Sequence, residues 1–193
     1  MALDILPSHG DRLRLHPVAP RLAPMFGFVL LTLSCALASF AFACATPFAA
    51  FAVVAAAMLP LRPALLVVTG AWLVNQSIGF GVLHYPIDGS TITWGLVIGA
   101  AALLATIAAS GILRMLPQGR TPLMLAITLV AAYAVYELAL FAVTPLLGGG
   151  GAFTAAIVTR IGLTSAAWLA GLVATCEIVR LVDPFGRKGA MST

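Results

Sequence analysis

Six apolar stretches follow one another along this chain, at residues 25–45, 47–59, 64–83, 91–116, 122–146 and 153–182. A helix needs about 20 such residues to cross the hydrocarbon core of a bilayer. Inside that core every backbone N–H and C=O must be paired within the protein, which leaves helices or closed barrels. Stretches of this length are helices. Composition agrees, with 62% hydrophobic and only 8% charged residues, against roughly a quarter charged in a soluble domain. The chain is read as an all-α integral membrane protein, a bundle of six transmembrane helices. It is one domain, 25–182, with polar tails at 1–24 and 183–193.

The last four stretches span easily. The first two share only the 35 residues from 25 to 59, with Thr46-Pro47 as the sole break. They are predicted to be two short helices joined by a tight turn. Ala43-Cys44-Ala45 after an apolar run also has the outline of a signal-peptide cleavage site. The run is long for that, and Pro47 follows at once, so helices are preferred.

Charge sets the expected orientation. Of the ten Lys and Arg residues, Arg12, Arg14, Arg21, Arg62, Arg114, Arg120, Arg180, Arg187 and Lys188 all fall on one side of the alternating topology. The positive-inside rule makes that side cytoplasmic. Both termini are then cytoplasmic, in a multi-pass protein of the inner membrane. The net charge of +4 is spread over loop after loop, so it is a topology signal and no nucleic-acid footprint. The three cysteines form no CxxC or Cys/His cluster, so neither a disulfide framework nor a metal site is indicated. No GxxxxGK[ST], HExxH or G-x-S-x-G occurs, so no nucleotide site, cofactor or enzyme is expected.

Two opposite charges lie inside the apolar stretches, Glu137 in the fifth and Arg160 in the sixth. Only the glycine turn Gly148-Gly149-Gly150-Gly151 and a few apolar residues separate the stretches. Such groups are costly in a membrane and usually find a partner. The expectation is an interhelical pair at similar depth. Tyr133, Tyr136 and Glu137 are related by three and four residues and share a helix face. Trp72 and Gln76 share another, with Asn75 beside it. With Trp94, these residues all fall in the outer half of the bundle. Candidate substrate contacts are therefore Trp72, Asn75, Gln76, Trp94, Tyr133, Tyr136, Glu137 and Arg160. Structural readings stand beside these. Glu137 with Arg160 can be an ion pair that only holds helices, and Asn75 and Gln76 can be interhelical glue. Trp94 and Tyr85 can be interfacial aromatics, and His84 and Asp88 solvated loop residues.

Small residues recur at helix-contact spacing: Gly95 and Gly99; Ala166, Ala170 and Ala174; Ala41, Ala45 and Ala49. Internal packing is the expected use. In size, helix number, cytoplasmic termini and a polar outer half, the chain resembles the S components of energy-coupling factor vitamin transporters. That resemblance implies binding of a small solute, a vitamin or cofactor precursor. It also implies docking through Ala41 and Ala45 on a transmembrane coupling subunit, with ATPases as further partners. Two other readings remain. One is an accessory subunit of a membrane complex, with no ligand. The other is an ion-coupled carrier using Glu137, against which the absence of an internal repeat counts.

Overall fold

The computed structural model describes residues 15–42, 46–116 and 121–182, which contain six α-helices and no strand. The helices are α1 Ala23–Phe42, α2 Phe48–Met58, α3 Leu61–Gly81, α4 Gly89–Met115, α5 Thr121–Leu147 and α6 Ala155–Val182. A 3-10 turn, Gly150–Phe153, joins the last two. Five of the helices are long and apolar enough to cross a membrane. The sixth is not, which corrects the expectation of six spans. At 11 residues, α2 is about 16 Å long, half of a hydrocarbon core.

The short helix lies in the middle. Every residue of α2 is buried, and α1, α3, α4, α5 and α6 all pack on it. Cys35 meets Ala71 and Ser39 meets Asn75, so α1 and α3 run in the same direction. Between them α2 runs back, with Thr46 at the level of Asn75 and Met58 beside Gly27. We call the end where α1, α3 and α5 finish the distal end. The start of α2 is sunk into the bundle, because Asn75 lies six residues before the end of α3, about 9 Å of helix.

Apolar burial does not drive helices together in lipid, where tails are as apolar as leucine; close van der Waals packing does. The sequence of α2, Phe-Ala-Ala-Phe-Ala-Val-Val-Ala-Ala-Ala-Met, suits that role. Its alanines admit neighbouring backbones, and α4 answers with its own small buried residues Ala101, Ala102, Ala105, Thr106 and Ala109. Phe48 and Phe51 supply bulk and meet edge to face. On the other side, Cys176 of α6 lies 3.8 Å from Met58.

A helix that ends inside the bundle leaves carbonyls and N–H groups to be satisfied. At the lower end, Leu59 N–H donates to Ala55 and Leu15 N–H donates to Ala57. Leu15 is itself buried, so residues 15–22 close the underside of α2 instead of trailing away from the bundle. The more distant tail residues, 1–14 and 183–193, lie outside the described residues, as do Ala45 and the Ala43-Cys44-Ala45 motif. The distal loop after α3 folds back, with Tyr85 against Gly79 and Phe80. Asp88 then caps α4, accepting the Thr91 N–H at 2.8 Å. That bond holds its exposed carboxyl below the usual carboxylate range. The cap is therefore complete at neutral pH and is lost as pH falls through the lowered value.

Candidate functional site

A cavity of about 490 Å³ opens among α4, α5 and α6 in the distal half of the bundle. Helix α4 contributes Thr91, Trp94 and Ile98, one turn apart along a face. Helix α5 contributes Tyr136, Glu137 and Leu140, and α6 contributes Ile157 and Ile161. Gly149 of the glycine turn and Phe153 at the end of the 3-10 turn complete it, with Thr46 from just before α2. The wall is mostly apolar with a few polar groups, which is the general character of small-molecule sites, and the volume lies within their usual range.

The structure brings together three of the expected site residues here: Trp94, Tyr136 and Glu137. Behind them, the ring of buried Phe48 from α2 lies 6.4 Å from that of Tyr136. The remaining candidates lie elsewhere. Asn75 Nδ2 donates to Ser39 Oγ at 2.9 Å and to Thr46 Oγ1 at 3.0 Å, and its Oδ1 accepts from Gln76. These amides tie α1, α3 and the sunken start of α2. Asn75 thus reaches the cavity only through Thr46. Trp72 Nε1 donates to the Gly95 carbonyl at 2.9 Å, and its ring fills the space left by Gly99. The Gly95 and Gly99 pair therefore serves internal α3–α4 packing, as expected. Tyr133 donates to the Val158 carbonyl at 2.6 Å and lies against Gly162. It clasps α5 to α6, which otherwise touch sparsely.

Arg160 overturns the expected pair. It does not bridge to Glu137; among the described residues the one ion pair is Arg180 with Glu177. The buried stripe of α6 is Ser165, Leu169, Leu172 and Cys176. Extended backwards, the stripe reaches Ile161 and leaves Arg160 about 140° round from Ser165, at 100° per residue. Arg160 is exposed on that flank, beside Ala156, Thr159, Leu163 and Thr164. The level was foreseen, since Tyr133 beside Gly162 brings Glu137 near Ile157 and Ile161. The facing was not. Nor is the α6 alanine row internal: Ala166, Ala170 and Ala174 are all exposed. Ala41 is exposed in the last turn of α1.

Thr46, Thr91, Ile98, Leu140, Gly149, Phe153, Ile157 and Ile161 also line the cavity and are not among the contacts expected from the sequence. A signal for Thr46 was present. The second stretch is too short to span, so its ends must lie within the bundle, and Thr46 immediately precedes it. Replacing Asn75 by Leu is expected to lower stability by about 1 kcal/mol, the scale of an interhelical hydrogen bond in lipid. Unfolding in mixed SDS micelles measures this, and an unchanged midpoint would show that Asn75 does not hold α2 in place.

Fold and cavity together define a multi-pass helical membrane protein with a pocket of small-molecule size. No family model, curated protein or solved structure matches the chain.

Proposed function

We propose that this is a substrate-binding membrane protein for uptake of a small solute, a vitamin or cofactor precursor, with its site in the distal cavity. The observation that carries the reading is the cavity itself. Polar groups from three separate parts of the chain, Thr46 before α2, Thr91 and Trp94 on α4, and Tyr136 with Glu137 on α5, converge on one largely apolar space of about 490 Å³. Bundle packing does not need such a space. In the positive-inside orientation the distal end faces outward from the inner membrane, so a solute would meet the cavity first. Partners are then a transmembrane coupling subunit and ATPases. The exposed Ala41 supports docking at the distal end of α1, and the exposed α6 row offers a second close-approach surface.

A thermal-shift screen of the purified protein against vitamins, cofactor precursors and amino-acid-like solutes tests this. At least one solute should raise the unfolding temperature. Leu140→Trp, which fills the cavity, should abolish the shift while the protein still inserts. Arg160→Ala should keep it, since Arg160 faces away. Silence across the panel, with other membrane subunits co-purifying, would instead identify an accessory subunit. Its specific support is the outward-facing row Ala166, Ala170 and Ala174.

A further inference from the structure

We infer that the cavity selects a cation: a small, largely apolar molecule carrying one protonated amine or quaternary ammonium. This rests on the cavity being a ligand site and goes on to name the class of ligand.

From its sequence, the site offers one charge of each sign. The structure removes the positive one. Arg160 is on the exposed flank of α6, and the single charged side chain lining the cavity is Glu137. Its neighbour one turn back on the same helix face is the hydroxyl of Tyr133. That hydroxyl gives its proton to the Val158 carbonyl at 2.6 Å, and a neutral phenol brings no positive charge. The rest of the wall is uncharged. Thr46 and Thr91 are hydroxyls, and Trp94, Tyr136 and Phe153 are aromatic.

A carboxylate in a poorly solvated space attracts a cation strongly, because little dielectric screening intervenes. Aromatic rings add to this through their negative faces, most when the cation is desolvated. An anionic ligand would meet Glu137 with no counter-charge in the cavity. A neutral ligand would offer its carboxylate no charge-assisted bond. The apolar remainder of the wall, Ile98, Leu140 and the two isoleucines of α6, suits the carbon frame of the molecule.

Three indole probes of nearly equal size separate the possibilities: tryptamine, a cation at neutral pH; tryptophol, neutral; and indole-3-acetate, an anion. Binding to the full purified chain in detergent is measured by equilibrium dialysis. Tryptamine should bind at least about 10-fold more tightly than the other two, the lower end of what a charge-assisted hydrogen bond contributes. Glu137→Gln should remove that preference, with its circular dichroism spectrum and single detergent-bound elution peak reporting that the variant is folded. Glu137→Asp should retain the preference. Equal binding of all three probes, or a preference that survives Glu137→Gln, would overturn the cation assignment while leaving the cavity as a ligand site. Binding by none of them would count against the cation assignment. Failure of the vitamin and precursor screen as well would then remove the cavity itself from consideration.

Discussion

Phe51→Ala should cost about 3–5 kcal/mol, the usual range for removing a buried phenylalanine from a packed interior. Phe51 is fully buried in α2 and meets Phe48 with ring centroids 5.9 Å apart. The site cannot collapse easily. Its neighbours on α2 are alanines and valines already enclosed by the surrounding helices, so the lost ring leaves a void. In a membrane the lost term is packing contact more than transfer from water. Equilibrium unfolding in mixed micelles should show a large downward shift of the midpoint. A change under about 0.5 kcal/mol, the scale of an ordinary surface substitution, would mean that α2 is not the packed centre of the bundle.

Gly99→Leu should destabilise through the opposite fault, too much volume. A Cβ at Gly99 would lie 2.7 Å from Cε2 and 2.8 Å from Nε1 of Trp72. The indole cannot simply swing aside, because its N–H is bonded to the Gly95 carbonyl one turn away. Either that bond breaks or α3 and α4 separate, and overpacking of this kind costs about 1–3 kcal/mol. Trp72 fluorescence should shift as its surroundings change. Gly111→Leu on the same helix is the control, since a Cβ there meets nothing within 4 Å. If the two variants unfold alike, the close α3–α4 approach is not what Gly99 provides.

Helix number and location could be read from the sequence because apolar runs of about 20 residues have few other fates in a polypeptide. The distal gathering of polar groups was legible for the same reason, since helix rise converts residue number into depth. Depth is only half of a position. Whether a residue on a helix faces its neighbours or lipid depends on which stripe the helix buries, and α6 is apolar nearly all round. Arg160 therefore looked like a partner for Glu137 at the right height and proved to be on the wrong side. Asn75 and Gln76 show a related limit. Two amides in an apolar helix announce that partners exist. They do not say whether those partners are a ligand or, as here, Ser39 and Thr46. Glu137, Tyr136 and Trp94 stand together because the helices bearing them meet around the cavity.

The central helix also constrains how the chain can be made. Synthesis delivers α2 before α4, α5 and α6, which later enclose it. An 11-residue apolar segment is too short to be released into the bilayer as a span of its own. It has to travel from the translocon as the returning arm of a hairpin with α1. Its buried ends then wait for Asn75 on α3 and for the remaining wall to arrive. The nascent chain thus holds an unfinished centre until α6 emerges, and only then is the cavity among α4, α5 and α6 walled in.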